Sequence, residues 1–177
     1  MTDRPSRNLE LKARYADHAS AEAKLQKLGA TREWSLRQVD TYFVVPRGRL
    51  KLREQQGRAV AELIAYDRPN ETAVRASDYQ LVPVPDPAAL KLALTRTLGV
   101  RVVVAKRRTL WMWHNVRIHL DQVESLGTFL EFEAVLPSPD EPDGPSRERL
   151  DQLTGLLHIS DADRIGGSYS DLLESCR

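Results

Sequence analysis

Alternation of polar and apolar residues with a period of two is the sequence feature that most constrains this fold. Residues 8–12 read Asn-Leu-Glu-Leu-Lys, and residues 49–53 read Arg-Leu-Lys-Leu-Arg. Successive side chains of a strand point to opposite faces, so each segment predicts a strand with one apolar and one polar face. The same pattern recurs at 62–68, 102–108, 115–121 and 129–135. The chain is therefore predicted to consist mainly of strands.

Helical segments with recognisable ends separate some of these strands. Asp17 is the predicted cap of one helix and Asp86 of a second, and each helix is followed by a glycine that can end it. Ser146 is the predicted cap of a third helix, and residues 169–175 are predicted to form a short final turn.

Length and charge limit the class of protein. The chain has 177 residues, with 26 Lys and Arg against 25 Asp and Glu. We therefore predict a single domain over residues 1–177, with no nucleic-acid or membrane partner. The single cysteine, Cys176, excludes a disulfide framework and a thiolate zinc site. No segment resembles a signal peptide or is apolar enough to span a bilayer, so we expect a soluble cytoplasmic protein. Its oligomeric state is left open, a homodimer being one option.

The usual catalytic signatures are absent from the sequence. There is no Gly-rich phosphate loop, no nucleophile elbow, no HExxH motif and no EF-hand loop. The four histidines are scattered without ligand spacing, which argues against a histidine metal site. Only His119, on the polar face of a predicted strand, merits attention.

The polar faces of the strands carry charges sorted by sign. Three cations at i, i+2 and i+4 lie on one face of a strand roughly 7 Å apart, a spacing that suits consecutive phosphates. Two carboxylates at i and i+2 could flank a hard cation such as magnesium or manganese. Alternatively, the charges lie on the solvated face of an antiparallel sheet and form only weak cross-strand ion pairs. Alternation alone leaves both interpretations open. The sorted groups are Arg49, Lys51 and Arg53, then Lys106 and Arg108, then Glu131 and Glu133.

Several segments in chain order resemble the CYTH proteins, also called triphosphate tunnel metalloenzymes. Residues 8–12 look like the opening ExExK strand of that family, and residues 120–133 read LDxVxxLGxFxExE, which most resembles its class IV adenylyl cyclase-like branch. The family also includes thiamine triphosphatases and inorganic triphosphatases. Further similar segments lie at 40–43, 49–54, 66–69, 77–79 and 106–108.

The resemblance implies an α+β fold in which an eight-stranded antiparallel β-barrel with flanking helices encloses a charged tunnel. It implies Mg²⁺ or Mn²⁺ as cofactor and a small-molecule triphosphate as substrate. The implied metal ligands are Glu10, Asp121, Glu131 and Glu133, of which Asp121 could instead orient a metal-bound water. The implied phosphate-binding residues are Lys12, Arg49, Lys51, Arg53, Lys106 and Arg108, with Arg68 and Arg117 as further candidates. Glu10, Lys12 and Asp121 are the implied catalytic residues.

Two positions depart from the family pattern. Asn8 stands where the first Glu of ExExK is found, and an amide does not supply the negative charge of a carboxylate to a divalent cation. Asp67 stands where many members have a Lys, although Arg68 could restore a cation if the strand is locally bulged.

The resemblance leaves three functions open. A class IV adenylyl cyclase-like enzyme would convert ATP to cyclic AMP and pyrophosphate, with metal activating the ribose 3′-hydroxyl and cations stabilising the departing pyrophosphate. A triphosphatase would use the same tunnel to hydrolyse tripolyphosphate, thiamine triphosphate or a nucleoside triphosphate. A non-catalytic module would bind polyphosphate, a nucleotide or a phosphorylated partner without turnover.

Overall fold

Strands make up most of this computed structural model, which describes residues 6–67, 70–136 and 142–176. The described strands, in chain order, are β1 (Ser6–Arg14), β2 (Thr31–Phe43), β3 (Arg49–Gln55), β4 (Ala61–Asp67), β5 (Arg75–Val84), β6 (Val100–Trp113), β7 (Val116–Val123) and β8 (Gly127–Leu136). The described α-helices are α1 (His18–Leu28), α2 (Pro87–Leu98), α3 (Gly144–Leu156) and α4 (Tyr169–Ser175).

The eight described strands close into one antiparallel barrel. Their order around the barrel is β1-β5-β4-β3-β2-β6-β7-β8, and β8 pairs back onto β1. This arrangement confirms the eight-stranded barrel with flanking helices that the family resemblance implied.

On β1 and β3 the apolar side faces outward, beneath the helices. Leu9 and Leu11 of β1 pack in one cluster with Leu25 of α1 and Leu150 of α3. On the far side of the barrel, Leu52 of β3 belongs to a cluster that the leucines of α2 cover. Burying each such leucine contributes about 1.5–3 kcal/mol. Because the leucines face outward, the polar side chains between them must face into the barrel.

The helix ends agree with the sequence at three of the four helices. Asp17 caps α1 and Asp86 caps α2 through hydrogen bonds to backbone N–H groups. Helix α4 covers the predicted residues 169–175. The prediction of Ser146 as a cap was wrong, because the N-cap of α3 is Asp143, three residues earlier. The buried Ser146 hydroxyl lies instead 3.0 Å from the side-chain amide nitrogen of Asn115.

Two strands were not predicted from alternation as whole elements. They are β2 and β5, and they complete the barrel between the predicted strands. None of the described helices is long and apolar enough to cross a membrane.

Candidate active site inside the barrel

The inward faces of the strands form a cavity whose lining is rich in charge. Among the residues that the structure describes, six cations and three carboxylates line it: Lys12, Lys51, Arg53, Lys106, Arg108 and Arg117, with Glu10, Glu131 and Glu133. Most of the cations come from β3 and β6, whereas the carboxylates come from β1 and β8. Of the sorted charges that alternation left ambiguous, all but Arg49 therefore line this cavity. Burying ions costs several kcal/mol each unless they are paired, so the pairing inside the barrel matters.

Asp40 of β2 organises the cations on one wall. Its carboxylate lies between β3 and β6, where it accepts hydrogen bonds from Arg53 at 2.9 and 3.1 Å and from Lys51 at 3.2 Å. Lys106 lies 3.9 Å from the same carboxylate. Burial alone would raise the pKa of Asp40, but Arg53, Lys51 and Lys106 outweigh it and hold that pKa well below the usual range. Asp40 therefore stays ionised and fixes these cations.

Arg108 and Asp121 form a second buried pair. The guanidinium donates to both oxygens of Asp121, at 2.7 and 2.6 Å, and to Glu131 at 2.7 Å. The Tyr169 hydroxyl donates to Asp121 at 2.8 Å. Burial favours the neutral acid, but Arg108 and Lys106 lower the pKa of Asp121 far below its usual value. Asp121 is completely buried and does not line the cavity, so its oxygens serve Arg108 and Tyr169.

Tyr169 of α4 brings the C-terminal segment into the barrel. Its ring lies 4.1 Å from the Lys12 ammonium and 5.0 Å from that of Lys106, within cation–π distance of both. The backbone N–H of Ile165 donates to the Lys12 carbonyl at 2.8 Å, which ties the segment to β1. Because Lys12 also donates to Glu131 at 2.6 Å, this lysine is held from two sides.

Lys106 carries an unusually labile proton for a lysine. It is buried and lies near Arg108 and Arg53, and these effects lower its pKa to about 7 although Asp121 and Asp40 oppose them. A ligand with several negative charges would favour the charged form of this side chain.

Three carboxylates of β1 and β8 form the opposite wall. Glu10 and Glu133 are directly opposed across the two strands, and Glu131 is opposed to Lys12. The Glu133 carboxylate lies 3.3 Å from His119 Nε2 and 3.8 Å from Arg117.

His119 lies behind this carboxylate wall and is buried. Burial and Arg108 lower its pKa more than Glu133 raises it. The imidazole is therefore neutral at pH 7, and it contributes no positive charge beside Glu133.

The carboxylates fit a divalent cation only together with substrate oxygens. Within the described residues, no three acidic, histidine or cysteine side chains are grouped closely enough to hold a metal by themselves. All three carboxylates line the cavity: Glu131 accepts from Lys12 and Arg108, and Glu10 and Glu133 are directly opposed on β1 and β8. Magnesium is commonly held by one or two carboxylates plus substrate phosphates, and this donor set suits that mode.

Two further arginines lie at the end of the barrel that α4 covers. Arg49 does not line the cavity, and it pairs with Asp171 of α4 at 3.0 Å and with Asn70 at 2.8 Å. Arg75 of β5 is opposed to Glu10, is buried, and donates to the carbonyl oxygens of Glu71 and Ile165. Arg68 lies outside the described residues. Of the predicted phosphate-binding residues that the structure describes, the cavity therefore includes all but Arg49.

The remaining departure from the family pattern lies on β4. Tyr66 lines the cavity, so Asp67 has the opposite orientation on the strand and is exposed. Tyr66 and Tyr42 place their hydroxyls 3.4 Å apart, and the Lys51 ammonium lies 3.5 Å from that of Tyr42. Aromatic rings therefore stand beside the cations on this part of the wall.

Sequence reasoning missed Asp40, Arg75 and Tyr169 as parts of the site. Asp40 could have been found, because it lies in a segment that resembles the family and shares strand parity with Tyr42. Arg75 and Tyr169 gave no comparable signal. Their positions depend on how β5 closes the barrel and how the C-terminal segment folds back.

Comparison with known proteins gives a consistent result. The CYTH domain family model matches residues 6–169. The PH1012 protein from Pyrococcus horikoshii OT3 has 23% identity and a TM-score of 0.80, and the match covers 93% of this chain and 98% of that one. A candidate adenylate cyclase from Vibrio parahaemolyticus has 24% identity and a TM-score of 0.77, covering 94% and 97%.

A third similar structure belongs to a protein whose activity has been described. HpAC1 from Hippeastrum, a candidate adenylyl cyclase with a dominant triphosphatase activity, has 15% identity and a TM-score of 0.63, with 96% of each chain covered. At these identities the solved structures share the fold alone. No curated protein matches the chain significantly.

Proposed function

This chain belongs to the CYTH family, and on that premise we propose that it is a metal-dependent enzyme acting on the triphosphate group of a small molecule. The observation that carries the proposal is the closed barrel whose cavity is lined by six cations facing three carboxylates. A chain of phosphates with a divalent cation complements both walls in charge.

The cations are held in place before any substrate arrives. Asp40 fixes Lys51 and Arg53, and Asp121 with Glu131 fixes Arg108. Donors fixed by buried carboxylates need little reorganisation when negative charge develops on a phosphate, which is the general basis of electrostatic catalysis. These residues would bind the phosphate chain and stabilise the leaving group.

Glu10 and Glu133 would hold Mg²⁺ or Mn²⁺ together with phosphate oxygens. When bound, the cation would neutralise phosphate charge and polarise the bonds to the phosphorus under attack. Lys12, fixed between Glu131 and the Tyr169 ring, would direct its ammonium at a phosphate oxygen.

The first candidate reaction is the cyclisation of ATP. The ribose 3′-hydroxyl oxygen would form a bond to the α-phosphorus, the bond from that phosphorus to the bridging oxygen would break, and pyrophosphate would leave. The hydroxyl proton would pass to solvent or to a basic group of the site. The cations of β3 and β6 would stabilise the charge on the departing pyrophosphate.

The second candidate is hydrolysis at a terminal phosphorus. It is favoured by the lining itself, since the cations of β3 and β6 require only a phosphate chain and no base or sugar. Tripolyphosphate, thiamine triphosphate and nucleoside triphosphates would all satisfy that requirement.

A turnover screen with product identification tests the proposal. ATP, thiamine triphosphate and tripolyphosphate are each incubated with Mg²⁺ or Mn²⁺, and the products are separated. Cyclic AMP with pyrophosphate supports the cyclase, whereas orthophosphate without cyclic AMP supports the hydrolase. The absence of any product in all six mixtures would overturn the enzymatic proposal.

Two variants sharpen the screen. Glu133→Gln keeps the shape of the side chain but removes the charge that a hard cation needs, and it should abolish metal-dependent turnover. Glu124→Gln makes the same chemical change at a side chain that is 63% exposed and outside the cavity lining, and it should leave turnover unchanged. Equal activity in both variants would remove Glu133 from the proposed metal site.

A further inference from the structure

The charged lining of the cavity stops at β4 and β5. Every cavity-lining side chain on these two strands is uncharged, and the inward Asn8 of β1 continues the uncharged surface. We call this surface the neutral wall, which consists of Asn8, Ile64, Tyr66, Ser77, Tyr79 and Leu81. A polyphosphate chain alone gains no charge pairing from it.

The members of the neutral wall are contiguous through strand pairing. Asn8 is opposed to Ser77 across β1 and β5. Tyr66 is opposed to Tyr79, and Ile64 to Leu81, across β4 and β5. The wall therefore combines apolar and aromatic area with a polar patch at Asn8 and Ser77, next to the charged part of the cavity.

Within the neutral wall, Asn8 is the residue that most directly indicates a ligand. The residue is only 4% exposed, and its side-chain oxygen has no hydrogen-bond partner among the residues that the structure describes. A buried acceptor without a partner lowers stability, so such groups call for an explanation. Ionised phosphate oxygens are acceptors only and cannot satisfy it. Its complement is a hydroxyl or amino donor.

We propose that Asn8 determines specificity, and that the neutral wall holds the organic substituent of a triphosphate monoester while Asn8 accepts a hydrogen bond from a hydroxyl or amino group of it. This inference rests on the proposed function, because it places the phosphate chain against the cations of β3 and β6. It assigns Asn8 to recognition of the substituent and not to metal binding.

Binding measurements on the intact protein test the inference. Calorimetry compares tripolyphosphate with ATP, 2′,3′-dideoxy-ATP and thiamine triphosphate, each with Mn²⁺, and Mn²⁺ is also titrated alone. At least one monoester should bind about tenfold or more tightly than tripolyphosphate. Asn8→Ala should weaken that monoester about fivefold, as expected for one neutral hydrogen bond. Binding of tripolyphosphate and of Mn²⁺ should remain within about twofold.

Two other variants guard the interpretation. Leu81 is 43% exposed at the edge of the wall, so Leu81→Arg adds a cation at a position that tolerates polarity. This variant should weaken binding of the monoester and strengthen binding of tripolyphosphate. It keeps the inference testable if Asn8→Ala does not fold. Gln80→Ala, on the outer face of β5, is the control, and it should change the affinity for neither ligand.

Three results would contradict the inference or the proposed function, and they can be told apart. Tripolyphosphate binding as tightly as every monoester would overturn the inference and leave the proposed function standing. If Asn8→Ala loses Mn²⁺ binding and binds the monoester and tripolyphosphate equally less tightly, Asn8 is a metal ligand. That result would also overturn the inference. Failure of all triphosphates to bind would overturn the proposed function itself.

Discussion

A lysine that is buried among arginines holds its proton less firmly than an exposed one, and Lys106 is in that position. Arg108 and Arg53 oppose its charge, Asp121 and Asp40 favour it, and the net effect with burial is a pKa of about 7. At pH 8 most of this side chain is therefore neutral in the free protein. A triphosphate in the cavity would raise the pKa and draw a proton from solvent.

We therefore predict proton uptake when tripolyphosphate binds at pH 8. Calorimetry in buffers of different ionisation enthalpy should show that Lys106 takes up as much as about one proton per ligand, because this side chain is mostly neutral before the ligand binds. At pH 5.5, where Lys106 is already charged, its contribution should vanish. Lys106→Met should remove the uptake at pH 8. An unchanged uptake in that variant would assign the proton to another group.

Lys106 also gives the pH dependence of folding a definite sign. Its pKa in the folded protein is lower than that of an exposed lysine, so between about pH 7 and pH 10 the unfolded chain binds the extra proton. This residue's contribution to stability therefore rises as the pH increases through that window.

The neighbouring positions 107 and 108 offer a matched test of the buried ion pairs. Arg108 is buried and bonded to Asp121 and Glu131, whereas Arg107 is exposed on the outer face of the same strand. Arg108→Met would remove the main partner of the buried Asp121 and one of the two partners of Glu131, and it should destabilise the fold by about 3–5 kcal/mol. Arg107→Met should cost at most about 0.5 kcal/mol. Urea denaturation measures both, and similar values would contradict the structural role of the buried pair.

At the scale of elements, one carboxylate takes part both in the cap of α4 and in its attachment to β3. Asp171 accepts from the Ser168 backbone N–H at 2.9 Å in a capping box and from Arg49 at 3.0 Å. We predict that Asp171→Ala lowers the free energy of unfolding by about 1 kcal/mol, as expected for a lost cap.

Asp161→Ala is the matched control for that prediction. The Asp161 side chain is 92% exposed and pairs only with Arg164 among the described contacts, at 3.2 Å. A solvent-exposed pair of this kind contributes little, so the change should stay within about 0.5 kcal/mol. Equal losses in urea denaturation for the two variants would show that the cap does not secure α4.

The elements that sequence reasoning predicted are those with a clean period of two. In β2 the register shifts between Arg32 and Trp34, and polar residues occupy both of its faces, so alternation is obscured. In β5 the outer face is exposed rather than covered, and Pro83 interrupts the pattern. The error at Ser146 has a similar origin, since a serine before a leucine stripe resembles a cap while its hydroxyl is used by tertiary packing.

At the scale of the whole molecule, alternation along each strand indicated which charged residues share a face. It did not indicate which residues form ion pairs with them. Lys12 and Glu131 are opposed in the barrel although 119 positions separate them in the chain. Such pairs depend on the order in which strands close, which no local pattern encodes. The family resemblance implied the closed barrel but not its strand order, and the position of Asp121 beside Arg108 emerged only from the folded chain.

Closure of the barrel brings like charges together, and this has a consequence for the stability of the whole protein. The cations of β3 and β6 repel one another across Asp40, and the carboxylates of Glu131 and Glu133 repel one another on β8. Tripolyphosphate should relieve the first repulsion and Mn²⁺ the second. Each ligand alone should therefore raise the melting temperature slightly, and the two together should raise it by more than the sum.

The magnitude follows from mass action, because a ligand that binds only the folded state stabilises it by RT ln(1 + [L]/Kd), about 2.7 kcal/mol at a hundredfold excess over Kd. Thermal denaturation with tripolyphosphate, Mn²⁺, both or an uncharged ligand of similar size measures the effect, and the uncharged ligand should have none. Glu133→Gln should lose the extra stabilisation from Mn²⁺ but keep that from tripolyphosphate, because the cations remain. If tripolyphosphate with Mn²⁺ leaves the melting temperature unchanged at every concentration, phosphate does not bind in the barrel. That result would contradict both the enzymatic proposal and a non-catalytic binding role.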